Sequence, residues 1–259
     1  MGNGYDNPCQ SGDVDTIYHY TSPEGILSIL THKTLWFTDC EYLNDKKEGK
    51  QLGGDDGFRH FVLSTSLNDD TTAMWNYYCK NSVYLGYNLG IRVRCLKTAL
   101  QKDTDSLNSV AQAVSNSNIE GSGINVTFGK IKYAGRDNRS KSGIDALLCK
   151  SEPAKCEEEY RVILSFPQRI LNNYCSVDKN SEKDKSPNLK LKYRVGTSGI
   201  ITPYIEWSFT LEEKSELFSQ ITLAPMIEAE LAKKSFERFL DESVRINISI
   251  KESSMKLRF

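Results

Sequence analysis

Alternating and helically spaced apolar residues divide the chain into short strands and a few helices. Ile17-Tyr18-His19-Tyr20-Thr21 has strand composition, and Ser22-Pro23 then supplies an N-cap and a first-turn proline for a helix carrying Ile26, Leu27 and Leu30. Thr34 to Thr38 reads as a second strand. Phe61-Val62-Leu63-Ser64-Thr65-Ser66 reads as a third, apolar until it closes in three hydroxyls with Ser64 and Ser66 on one face. Ala73 to Tyr78 forms a capped helix with Met74 and Tyr78 one turn apart, a spacing that serves core packing and equally an aromatic wall beside a cleft. Tyr84 to Val93 is a strand or hairpin, Leu96 to Val114 an amphipathic helix, and Val126 to Tyr133 a further alternating segment. Ile200 to Trp207 is a strand that Pro203 marks as an edge. Pro225 to Glu242 is a long helix, and Val244-Ile246-Ile248-Ile250 alternates as a last strand. The mixture predicts an α+β fold.

Polar stretches set the boundaries. Residues 1–13 read as a flexible tail, and 14–259 as a single domain with a polar insertion near 178–192. Leu43-Asn44-Asp45 with Glu48 has the form of a capping box. The 259 residues balance 33 basic against 34 acidic side chains, so no overall field attracts a polynucleotide or an anionic membrane. No apolar run approaches the roughly 20 residues of a membrane span, and the expected location is cytoplasmic, with no membrane partner. Seven scattered cysteines without a Cys-x-x-Cys, and three histidines not spaced as ligands, predict reduced thiols and no metal. There is no Gly-x-Gly-x-x-Gly, phosphate-binding loop or Gly-x-Ser-x-Gly elbow.

The chemistry concentrates in Cys156-Glu157-Glu158-Glu159-Tyr160-Arg161-Val162. A strand beginning near Glu157 would set Glu157, Glu159 and Arg161 on one face. Two adjacent carboxylates need a cation, a hydrogen-bonding substrate or a raised pKa. Two readings stand: a solvated strand end neutralised by Arg161, and a catalytic Glu-x-Glu. His19 shares a face with Ile17 and Thr21 near the end of its strand, where a structural role and a ligand-binding one are both open.

The order of these pieces, a first-strand His19, then Ser64-Thr65-Ser66, then Glu157-x-Glu159, resembles the ADP-ribosyltransferase superfamily. Tyr18-His19-Tyr20-Thr21, Leu43-Asn44-Asp45 with Glu48, Met74-Trp75 with Tyr78, Glu157-x-Glu159-Tyr160-Arg161, and Ser254 with Leu257-Arg258 look more closely like an uncharacterised bacterial family in or near that superfamily. The resemblance implies a split β-sheet core with flanking helices and a cleft for NAD, used as a substrate without a metal. It implies transfer of ADP-ribose to a protein or nucleic-acid acceptor, in the setting of a toxin or a phage-defence effector. On that basis Glu159 would stabilise an oxocarbenium-like transition state, and Glu157 would position or deprotonate the acceptor. His19 and Thr21 would hold a ribose, Ser64 and Ser66 would brace Glu159, and Trp75 or Tyr78 would wall the nicotinamide. Arg161 is read as a counter-ion. An NAD glycohydrolase, and a nucleotide-binding module without turnover, are the alternatives.

Overall fold

A computed structural model of the chain describes residues 14–43, 57–79, 85–115, 123–134, 143–168, 171, 188–196, 199–210 and 216–255. The tail 1–13, the Asp45 and Glu48 box, residues 178–187 of the polar insertion and Leu257-Arg258 lie outside them.

The first unit is β1 (Thr16–Thr21), α1 (Pro23–His32) and β2 (Thr34–Asp39). Its turns follow from local chemistry. The Ser22 hydroxyl accepts the Gly25 N–H at 3.1 Å, Pro23 opens the helix, and Lys33 closes it in the left-handed region at φ 57°. Ile26 and Leu30, one turn apart, are fully buried. A Cβ on Gly25 would come within 2.0 Å of the Thr21 hydroxyl, so Thr21 is packed against the first turn of α1.

Next come β3 (Phe58–Ser66), α2 (Thr72–Tyr78), β4 (Tyr87–Arg92), α3 (Val93–Ser115), β5 (Asn125–Lys130) and β6 (Lys132–Ala134). The single helical turn α4 (Ile144–Leu147) and β7 (Cys149–Ser151) follow. A 3₁₀ turn (Glu152–Glu157) then leads into β8 (Glu159–Pro167). The chain ends with β9 (Leu189–Val195), β10 (Ile201–Ser208), β11 (Phe218–Leu223), α5 (Ala229–Phe239), a π turn (Leu240–Val244) and β12 (Ser249–Glu252). The fold is α+β.

One large mixed sheet runs β12-β11-β4-β1-β3-β2-β10-β9, with β8 also on β3 and β5 on β8, and β6 and β7 pair separately. The sheet forks at β3. β8 occupies one edge of β3 over its whole length, from Phe58↔Pro167 to Ser66↔Glu159. A strand has two edges, so β1 and β2 must share the other. β2 touches it at Thr38↔Val62 and Asp39↔Phe61, and β1 at Tyr18↔Ser66. Two prongs therefore leave one edge of β3: β1 with β4, β11 and β12, and β2 with β10 and β9.

Alternation sorts the faces. Ile17, Phe37, Phe61, Leu63, Leu89, Ile91, Val162 and Trp207 join the main core under α1, α3 and α5. Tyr18, Tyr20, Ser64, Ser66, Glu159 and Arg161 project from the other face, where α2 and α4 add two small clusters, one around Trp75 and one around Leu147.

Five sequence expectations shift. Glu157 ends the 3₁₀ turn instead of opening the strand, because Glu158 turns the chain through the left-handed region at φ 42°. The insertion gives way to strand by Leu189, which is fully buried. Pro203 lies in a strand paired on both sides, tolerated because the β2 ladder begins one residue later at Tyr204↔Thr38. The last strand starts at Ser249: Ile246 and Ile248 bury themselves without pairing, and regular pairing begins at Gln220↔Ser249. The long helix likewise starts at Ala229, where the Glu228 carboxylate caps the Leu231 N–H at 2.9 Å.

Candidate functional site

At the open end of β3 and β8 a cleft of about 220 Å³, its mouth included, is lined by Tyr18, Tyr20, Ser64, Thr65, Met74, Tyr78, Glu157 and Glu159. Most of that space is open to solvent and little of it is enclosed. A larger molecule would project from it.

Glu159, the first residue of β8, is 3 % exposed. Alternation sets Arg161 on its face, and the guanidinium grips it in a fork: Nε to Oε1 at 2.6 Å and Nη2 to Oε2 at 3.1 Å. Arg161 is itself 1 % exposed and also donates to the Leu147 carbonyl at 2.6 Å. Lys150, from β7, reaches Glu159 Oε2 at 3.0 Å and Glu157 Oε2 at 2.8 Å. Burial alone pushes the Glu159 carboxyl up, but Arg161 and Lys150 together outweigh it, and the net shift is downward. Glu159 is an ionised carboxylate held rigidly at the cleft.

Its surroundings fix its place. The Glu159 N–H donates to the Tyr133 hydroxyl at 2.8 Å. Ser66 is buried, and its hydroxyl donates to the Glu157 carbonyl at 2.8 Å, so it braces the backbone that leads into Glu159, its partner across the β3–β8 ladder. Thr65 donates to the Tyr160 carbonyl at 2.7 Å. Burial, then the charges of Glu159 and Glu157, raise the pKa of the Tyr78 hydroxyl, which stays protonated as a donor beside the two carboxylates.

Tyr78 is held there by a relay through α2. Thr71 caps the helix by accepting the Met74 N–H, and Trp75 donates its indole N–H to Asp70 at 2.8 Å. Asp70 also accepts from the Ser253 hydroxyl at 2.7 Å and from both the N–H and hydroxyl of Ser254, at 2.7 and 2.8 Å. The C-terminal segment is thereby tied to the turn that places α2.

The structure thus brings Glu157, Glu159, Ser64 and Tyr78 to one cleft. Trp75 is fully buried, edge-on to Tyr20 at 4.7 Å between ring centroids, and lies beneath the cleft. Thr21 faces α1. His19 alternates away from Tyr18 and Tyr20 and stands at the fork, its Nδ1 3.4 Å from the Ser64 carbonyl, which makes Nδ1 the protonated nitrogen. Burial lowers its basicity and Arg194 adds to this, against the Ser64 hydrogen bond, so the ring is neutral near pH 7.

Lys150 and Tyr133 had no signal in the sequence, since only the pairing of β7 with β6 brings them to Glu159. Tyr18 and Tyr20 did: they occupy the strand face opposite His19. No helix among the described residues is long and apolar enough to cross a membrane, and none of their His, Cys, Asp and Glu side chains form a metal-binding group. Neither a protein-family model, a curated protein nor a solved structure matches the chain.

Proposed function

We propose that the cleft binds NAD and that the protein transfers ADP-ribose from it to a macromolecular acceptor. The observation that carries this reading is the ionised carboxylate of Glu159, fixed at the mouth of a forked sheet among Tyr18, Tyr20, Ser64, Tyr78 and Glu157. The fork is also the feature expected of the split-sheet core of ADP-ribosyltransferases.

In the reaction, the bond between the ribose anomeric carbon and the nicotinamide nitrogen breaks, and its electron pair leaves with nicotinamide. The ribose carbon becomes cationic. Glu159 stabilises that charge at a position set before the substrate arrives. An acceptor lone pair forms the new bond, and the acceptor proton passes to Glu157 and on to water. Tyr78 donates to an oxygen of the ligand. With water as acceptor the same steps describe a glycohydrolase.

One observation favours a second reading, a nucleotide-binding module without turnover. Arg161 and Lys150 between them hold both oxygens of Glu159, which weakens the field that the carboxylate presents to a cation. Incubation with NAD labelled in its adenylate part, read for free nicotinamide and for labelled protein or nucleic acid, decides between them. Transfer predicts both signals, with Glu159→Gln losing them while remaining folded. Nicotinamide without labelled macromolecule indicates hydrolysis. Binding of NAD without nicotinamide indicates the module, and no binding overturns all three.

A further inference from the structure

The three tryptophans of the chain are treated differently by the fold. Trp75 donates its indole N–H to Asp70 at 2.8 Å and Trp207 donates to Asp103 at 2.7 Å. The Trp36 indole nitrogen is shielded from water with no acceptor among the described residues. Beside it stands a second donor in the same condition. Arg194, on edge strand β9, lies over the rings of Trp36 and Tyr204, its guanidinium carbon 5.4 and 5.7 Å from their centroids, and its Nε is also buried without a partner.

Arg194 donates through Nη2 to the Thr38 hydroxyl at 2.9 Å, yet among the described residues no carboxylate pairs with it. Alternation puts Lys190, Lys192 and Arg194 on the face that also carries Trp36, Thr38, Tyr204 and Glu206. Among the described residues the single carboxylate there, Glu206, is taken by Lys192 at 2.6 Å. Among the described residues this prong of the fork therefore has surplus positive charge and two dry N–H groups. A buried donor without an acceptor is costly and is rare in native structures. Both side chains are half-buried, so an acceptor reaches the two groups when the Arg194 side chain shifts over the rings of Trp36 and Tyr204.

The geometry points to an oxyanion-binding subsite, built by Arg194, Trp36 and Thr38 on the β2-β10-β9 prong, that takes a phosphate group. Guanidinium and indole donate to the phosphate oxygens, the former as a two-toothed fork. Lys190 adds charge at the rim. The subsite faces the fork from the side opposite His19, close enough that Arg194 lowers the basicity of that ring. A nucleotide whose ribose end lies in the Glu159 cleft would present its phosphates to this prong. That identity of the ligand rests on the nucleotide reading above, whereas the oxyanion site does not.

Proton–nitrogen NMR of the full chain, with the Trp36 indole signal assigned through Trp36→Phe, tests the subsite with three probes: inorganic phosphate, ADP and adenosine. The expected result is a downfield shift of the Trp36 indole proton with phosphate or ADP, none with adenosine, and no change at Trp75 or Trp207. Arg194→Gln, checked for an unchanged fold by its spectrum, should weaken ADP at least tenfold and remove the shift, and Trp36→Phe should weaken ADP by a smaller factor. A shift with ADP and phosphate marks a nucleotide site, and one with phosphate alone a site for the free anion. An unmoved Trp36 signal with both, equal binding of adenosine and ADP, or unchanged ADP affinity in Arg194→Gln overturns the inference. Nicotinamide release measured in parallel keeps the two readings apart. Arg194-dependent phosphate binding without release from NAD sinks the transferase alone, and release without a Trp36 response sinks the subsite alone.

Discussion

At the start of β8 each oxygen of Glu159 has a cation within hydrogen-bonding distance, whereas at the far edge of the same sheet Arg194 has two aromatic rings, one threonine and, among the described residues, no carboxylate. The first corner is charge-balanced and closed: Glu157 and Glu159 against Lys150 and Arg161. The second is open, its positive charge unmatched among the described residues. A balanced buried cluster holds its members in one geometry but is intolerant of losing one, because the remaining partner becomes an uncompensated charge. An unmatched surface-edge cation contributes little to folding and is free to serve a ligand. The contrast separates a group held for position from a group held for binding.

The largest expected effect breaks the closed corner. Arg161→Met leaves Glu159 buried without the two hydrogen bonds of the guanidinium and should cost about 3–5 kcal/mol, read as a fall in the urea midpoint. Glu159→Gln keeps the shape and removes the charge. It should lower nicotinamide release by about 100-fold or more, the scale of losing one preorganised electrostatic group, and a variant with unaltered release would refute the role given to Glu159.

The third prediction concerns pH. The Glu159 pKa is depressed in the folded state, so its contribution to stability is complete above the unfolded carboxylate pKa and is lost as pH falls through the lower folded value. Acid unfolding followed by circular dichroism should therefore begin at a higher pH in the wild type than would be needed to protonate Glu159 itself, and the stability of Glu159→Gln should vary less with pH in that window. His19 contributes at milder pH with the same sign of slope. It is half-buried and neutral with a lowered pKa, so stability falls as pH drops below about 6.5, the ordinary histidine value.

The smallest effects test the open corner and the local caps. Arg194→Gln should cost about 1–2 kcal/mol, the scale of a partly desolvated cation over an aromatic ring. A loss as large as that of Arg161→Met would mean that Arg194 is structural. Ser22→Ala removes the acceptor for Gly25 and should cost about 1 kcal/mol in the same urea titration.

Sequence alone determined what local chemistry controls. Ser22-Pro23 set the start of α1, the alternation of β1 and β3 put Tyr18 and His19 on opposite faces and Ser64 with Ser66 on one, and Arg161 was legible as the counter-ion of Glu159 because residues two apart in a strand share a face. Where it fell short, a longer-range or subtler backbone preference decided. Glu157 looked like part of the strand, but the left-handed Glu158 put it at the end of a 3₁₀ turn, where Lys150 still reaches it. Lys150 itself was invisible, since the β6 and β7 pairing that aims it leaves no periodic trace. The fork exists only because β1 and β2 claim different stretches of one edge of β3. What surrounds Arg194, the rings of Trp36 and Tyr204 and the Thr38 hydroxyl, comes from two strands, one of them far from β9 in the chain, so no single window of sequence shows it.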